Sequence, residues 1–254
     1  MKLRLSTLLF FCYILGISQE NTTIKSGEKL VYAASYNISG LLTQLAQVTM
    51  EAQEVKTSKS TMLHLKCTAA TFEKWDSFFK IRDLYEAYVN PKTLKPVLYK
   101  RDVYEGGYIK KEKYIFNYTK RTVKSSVSKK NGIVKETIVP IDYNTNDVIS
   151  TLYQLRNMDI SKAKPGDKLS LKVIFDNTEK NVAVKYIGKE DIVLKDLGKT
   201  SCYKILLLTQ EAKLKGKGEN IIYLTADAKK LPALIKFSIP VGSGQLTLIS
   251  SKGI

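Results

Sequence analysis

Histidine is almost missing from this 254-residue chain, and His64 is the only one. That excludes the histidine-rich clusters that usually hold zinc. A Ser-His-Asp or Cys-His constellation would have to be built on His64, and no nucleophile-elbow sequence accompanies it. His64 also alternates with Leu63 and Leu65, which puts it with Lys66 and Thr68 on the polar side of a strand. Cysteine is scarce too: three residues, none in a CxxC pair. Cys67 and Cys202 both sit in alternating apolar segments, so a disulfide and two buried free thiols both stay open. No phosphate-loop pattern occurs, and Gly216-Lys217-Gly218 reads as a turn. No catalytic residue, metal site or cofactor is therefore expected. Carboxylates such as Glu86, Asp102, Glu105, Asp142, Asp147 and Asp227 could serve a glycosidase only if two met across a sheet, and sequence spacing cannot bring them together.

Long apolar runs are lacking as well. The longest, Leu8 to Leu15, is too short to cross a bilayer, which takes about 20 residues. It follows Lys2 and Arg4 and precedes Gly16-Ile17-Ser18, the pattern of a cleaved signal peptide over residues 1–18. Phe11 before Cys12 does not fit a lipoprotein anchor. The expectation is export to the periplasm of a Gram-negative envelope as one β-rich domain spanning residues 19–254. Acidic residues are in deficit, 24 against 41 lysines and arginines. Loss of Lys2 and Arg4 with the leader takes the formal charge from +17 to +15. In the envelope such a balance favours an anionic surface as partner rather than nucleic acid.

What the chain has is period two. Leu30 to Tyr36, Ala46 to Gln53 and Leu63 to Ala70 alternate apolar and polar residues, as strands with one buried face do. The meander from Val97 to Lys129 interleaves Tyr99, Tyr104, Tyr108, Tyr114, Phe116 and Tyr118 with lysines. Core-lining tyrosine is the first reading of that pattern, and aromatic contact with a sugar or headgroup is the second. Lys129 to Gly132 predicts a hairpin turn. Further strands are predicted over 169–175, 182–187, 190–194, 202–208, 221–225, 234–239 and 245–249. Only one segment reads clearly as helix, capped by Asn146 or Asp147, with Val148, Leu152 and Leu155 at helical spacing up to Arg156. A shorter helix is open at Phe72 to Phe79. A dozen strands around one helix predict a mainly β fold: a single large curved antiparallel sheet or open barrel wrapped around that helix.

A series of short motifs then carries a resemblance. Gly27 to Tyr32, Tyr88 to Pro96, Asp147 to Arg156, Gly188-Lys189-Glu190, Gly198 to Ile205 and Tyr223 to Pro232 occur in this order along nearly the whole chain. Together they resemble the exported bacterial family called domain of unknown function 3108 in a Bacteroidetes-like form, although Tyr223-Leu224-Thr225 stands where that family often has tryptophan. The resemblance implies a curved sheet around a helix, similar in outline to periplasmic lipoprotein carriers of the LolA/LolB type. The expectation is a monomer that binds a lipophilic or acyl-chain ligand on the concave face. Inward-facing Tyr36, Val48, Met50, Leu63, Leu65, Leu152 and Leu155 are the candidate lining. The alternative is a non-enzymatic envelope module that binds a glycan or a protein.

Overall fold

The computed structural model describes residues 20–58, 60–130, 132–194, 198–208, 218–240 and 242–254. The leader expected over residues 1–18 lies outside the described residues, as do Asn131 of the Lys129–Gly132 turn and residues 216–217.

The chain begins as a meander. Strands β1 (Glu28–Ile38), β2 (Leu41–Lys56), β3 (Thr61–Thr71), β4 (Ile81–Val89), β5 (Pro96–Glu105), β6 (Tyr108–Asn117), β7 (Thr122–Lys129) and β8 (Val134–Pro140) each pair antiparallel with the next. The short helix α1 (Glu73–Phe79) joins β3 to β4. After the two-residue β9 (Thr145–Asn146), helix α2 (Val148–Leu155) follows. A second meander runs through β10 (Lys168–Phe175), β11 (Thr178–Leu194), β12 (Gly198–Leu208), β13 (Asn220–Thr225), β14 (Pro232–Ile239) and β15 (Gly242–Lys252). The last strand pairs antiparallel with the first, so the two meanders form one 15-stranded sheet whose edges are β8 and β9.

The sheet is a curled, mainly antiparallel layer around α2, as the alternation implies. Its strands are long and twisted, and irregular register lets them bend. β11, for which two strands are predicted, is a single strand that bends at Gly188, where φ is 143° and the pairing with β12 shifts. No backbone pairing joins β8 to β9 among the described residues. The connection after β8 is instead tied to β10 and β11. The Asp142 amide and the Thr145 hydroxyl both donate to the Glu179 carboxylate, and Lys172 reaches Asp142 at 3.1 Å.

Asp147 caps α2, its carboxylate accepting from the Ser150 amide at 2.9 Å and from the Ser150 hydroxyl. The helix buries more than the one stripe expected. Ile149 and Tyr153 enter the main core, Leu155 enters a second core with Val184, Ile205 and Leu224, and Leu152 touches both. Val148 and Leu152, expected to be fully inward, are half-buried. An eight-residue helix held inside a curled sheet meets apolar surface on several sides, so a single heptad-like stripe does not describe it.

Candidate functional site

Pairing register arranges the inward-facing residues into rows that cross the strands. One row runs Glu28, Ala52, Leu65, Ala87, Tyr99, Tyr114, Ser125 across β1 to β7. Every member is at most 1% exposed. This sealed row lies toward the start of β1, beneath α2. Its closing element is a bidentate ion pair in which the Arg156 guanidinium donates to both Glu28 carboxylate oxygens, at 2.6 and 2.8 Å. Arg156 also donates to the Lys229 carbonyl, tying the end of α2 to the β13–β14 turn.

Moving toward the β1–β2 hairpin, single positions become half-buried within rows whose other members stay buried. The next two contain Cys67 and Tyr85, then Ala69 and Asp83, and beyond them lie Leu246 and Ala34. Ala34, Cys67, Ala69, Tyr85, Leu152 and Leu246 pack on the core yet remain only partly buried. Because these side chains face inward, water reaches the concave face at this end of the barrel. Small residues leave room at positions 34 and 69, whereas the space over Gly244 is filled by the Ser35 carbonyl and the Phe237 ring. Tyr36 stands at the rim, its hydroxyl over Gly242. The space that these half-buried side chains face, with Leu152 of α2 among them, is the candidate hollow.

One wall is polar. The β10–β11 turn places Asp176 and Asn177 at φ 48° and 61°, a two-residue hairpin geometry these residues tolerate. It reaches across to β5, β6 and β7. Lys110 donates to Asp176 at 2.5 Å and pairs with Glu112 at 2.6 Å, while Arg101 donates to Glu112 at 3.1 Å. The Tyr114 hydroxyl donates to Glu112 and accepts from the Asn177 amide, each at 3.2 Å. Lys110 is thus an inward exception to the lysine-out alternation of the meander, and Tyr99, Tyr114 and Phe116 line the core. The Arg101 Nε is buried without a hydrogen-bond partner, as are the hydroxyls of Tyr32, Tyr99 and Tyr153. Beside Arg101, burial and then the neighbouring Glu105 carboxylate push the Asp83 carboxyl up to about 7. Burial likewise lifts the Cys67 thiol to about 12, so it is protonated and a poor nucleophile at neutral pH.

Of the residues expected to line a ligand cavity, Tyr36 and Leu152 border this hollow. Val48, Met50, Leu63 and Leu65 lie in the main core and Leu155 in the second core. Ala34, Ala69, Cys67, Tyr85 and Leu246 are half-buried inward positions that were not among the expected lining, although the inward parity of the first three was readable. The candidate carboxylates scatter. Asp147 caps α2, Asp142 pairs with Lys172, and Asp227 accepts from the Thr225 hydroxyl and the Lys229 and Lys230 amides. Only Glu105 meets a second carboxylate, Asp83. Cys67 and Cys202 are free thiols, on β3 and β12. His64 is on the outer face, stacked on Tyr88 at 4.4 Å and bonded to Glu86 at 2.9 Å. Among the described residues no cluster of three metal-ligating side chains occurs.

A second concavity lies outside. Leu84, Glu86, Lys100, Asp102, Lys111, Lys113 and the short Ser126 and Ser128 border a groove of about 270 Å³. It forms where serines on β7 sit between long side chains on β6 and Val134 on β8.

The sequence profile described as Protein of unknown function (DUF3108) matches residues 31–249. The chain belongs to the DUF3108 family. The profile takes in most of the motif series, and the fold brings three of the motifs together, since Glu28, Arg156 and Lys229 come from separate ones. No curated protein sequence matches. Among solved structures, the beta-barrel-like DUF1849 protein of Brucella abortus is similar with a TM-score of 0.55 at 8% identity, over 91% of this chain and 98% of that one. That likeness supports the barrel-like fold of this DUF3108 chain and nothing beyond it. A Bacteroides fragilis protein described as exported with a YmcC-like fold (TM-score 0.33, 9% identity, 91% and 97% covered) is far more distant. So is a Parabacteroides distasonis protein described as a lipoprotein (0.32, 13%, 90% and 96%).

Proposed function

We propose that this DUF3108 chain is an exported envelope protein that binds, rather than converts, a lipophilic ligand in the hollow above α2. The observation that carries the reading is the set of inward-facing apolar side chains, Ala34, Ala69, Leu152 and Leu246, that are only partly buried beside an otherwise buried core. A concave apolar patch with a few convergent polar groups is the usual form of a small-ligand site. The polar groups here are Arg101, whose Nε has a donor to spare, and Asp83, half protonated near neutral pH. They suit an oxygen-bearing head on an apolar body. The hollow is short, because α2 fills the deeper half, so a compact amphiphile fits better than a fully extended long acyl chain. The leader pattern of residues 1–18 supports periplasmic placement.

Native mass spectrometry with organic extraction, on protein purified from its own periplasm, tests this. A near-stoichiometric lipophilic species that disappears in Ala69→Phe is the expected result, and a clean apo mass from the native source overturns it. A second reading rests on the outer groove. Lys100 and Lys113 stand directly opposite each other on β5 and β6, a like-charge pairing that costs stability and that an acidic glycan would relieve. Glycan-array binding abolished by Lys113→Glu, with no extracted lipid, would favour that alternative.

A further inference from the structure

The end of the barrel into which the hollow opens carries apolar side chains where a water-soluble tip would carry polar ones. Three connections follow one another along that rim: the β1–β2 hairpin, α1 between β3 and β4, and the β5–β6 hairpin. On them Leu41 is 74% exposed, Leu42 51%, Phe78 74%, Phe79 48% and Tyr108 46%. Single exposed apolar residues are ordinary, but several on neighbouring tips are not. Strands about 4.8 Å apart place these tips within roughly 25 Å of one another. Phe79 is also held in place, since its ring lies against Gly106 closely enough that a Cβ there would sit 2.4 Å from it. Between them, α1 presents the chain's only tryptophan, Trp75, with the Lys74 ammonium 5.9 Å from its ring centroid.

We infer that this rim docks on an anionic phospholipid surface, with Leu41, Leu42 and Phe78 entering the acyl boundary. Apolar and aromatic tips flanked by lysine are the composition that partitions into that interface, and basic residues add attraction to anionic lipid. Lys74 on α1 and Lys80 just past its end are exposed. Of the nearby acids, Asp76 is paired with Arg82 at 2.5 Å, while Glu73 and Glu105 keep their charge, so the attraction to anionic lipid comes from the basic balance of the whole chain. Without Lys2 and Arg4 of the leader the formal charge is +17 less 2, or +15. No helix among the described residues is long and apolar enough to cross a membrane, so the contact is one of surface insertion. The docking stands whether or not the hollow holds a ligand. If it does, docking places the hollow's opening at the bilayer, where a lipophilic ligand would enter or leave.

Trp75 reports the test directly. The chain without its leader is titrated with phosphatidylcholine vesicles, alone or mixed with phosphatidylglycerol, while Trp75 emission and co-sedimentation are followed. The expected result is a blue shift and sedimentation with the mixed vesicles, weakened by salt. Leu41→Ser/Leu42→Ser/Phe78→Ser should reduce partitioning at least ~30-fold while leaving its lipid-free spectrum and thermal midpoint unchanged. All three positions are exposed, so folding does not depend on them. Failure to bind either vesicle overturns the inference, as does undiminished binding by the triple variant or equal binding to both vesicle types. A Trp75 shift that follows protein concentration without lipid, with a doubled mass in sedimentation, would instead assign the rim to a second copy of the chain. Lipid extracted from the native protein is a separate readout, so failure of the ligand reading and failure of docking remain distinguishable.

Discussion

The two ends of the concave face are built from the same alternating strands and behave differently. In the sealed row the inward positions hold Leu65, Ala87, Tyr99 and Tyr114, all at most 1% exposed, and the Glu28–Arg156 pair closes it. Two to six residues farther along the same strands, Cys67, Ala69, Tyr85 and Ala34 face the same interior but remain half-buried. The difference is not hydrophobicity, which is similar in both. It comes from α2, whose Arg156 closes the first region, and from small side chains that leave the second less filled. One sheet thus has a half that holds the fold together and a half with room to bind.

The largest expected effect comes from breaking the seal. Arg156→Met leaves the Glu28 carboxylate buried at 1% exposure with no countercharge. A loss of about 3–5 kcal/mol is expected in urea unfolding. Adding Glu28→Leu should recover most of it, because two apolar groups avoid the stranded charge. If the single variant unfolds like wild type, the pair does not close that end.

The α2 cap gives the next effect, and it depends on pH. Burial, outweighing the bonds from Ser150, pushes the Asp147 carboxyl up to about 6. The folded protein therefore keeps a proton that the unfolded chain releases at an ordinary carboxylate pKa near 4. This contribution is complete below about pH 4 and is lost as pH rises to about 6, by roughly 3 kcal/mol. The exposed carboxyls of Asp76, Glu136, Asp142, Asp159 and Glu190 are lowered by their hydrogen-bond partners and act in the opposite direction. The wild-type curve mixes the two, so the useful quantity is the difference from Asp147→Asn, which retains a capping oxygen. The variant should gain on wild type between about pH 4 and pH 6. A constant difference across that range would mean that Asp147 does not hold the proton.

Much of this arrangement could be read from alternation and caps. The strands, the α2 start at Asp147 and the outward His64 follow from patterns a few residues long. The pairing of β15 with β1 and the bond between Glu28 and Arg156 join residues far apart in sequence, and no local pattern specifies them. The open half was hidden for a different reason. Parity shows that Leu65 and Ala69 face the same way, but not which of them α2 covers. Val48, Met50, Leu63 and Leu65 were the expected lining and lie in the core, whereas Ala34 and Ala69 are inward positions that stay half-buried. Asp83 and Arg101 escaped notice because an inward charge is legible only once its surroundings are known.

The smallest expected effect separates the two halves most directly, because the same substitution is made in each. Ala87 and Ala69 both face inward, on β4 and β3. Ala87 is fully buried beneath α2, between Leu65 and Tyr99 in the sealed row. Ala87→Phe forces a ring into a close-packed layer, and a loss of roughly 1–3 kcal/mol is expected from thermal or urea unfolding. Ala69 lies between Val48 and Asp83 and is only partly buried. Ala69→Phe can place its ring in the hollow, cover Leu152, and change stability by less than about 1 kcal/mol. Equal losses at both sites would mean that the hollow is closed and that the concave face is core throughout. A stable Ala69→Phe protein that no longer carries its lipophilic species would locate the ligand, since the two alanines share a sheet face and differ mainly in what lies over them.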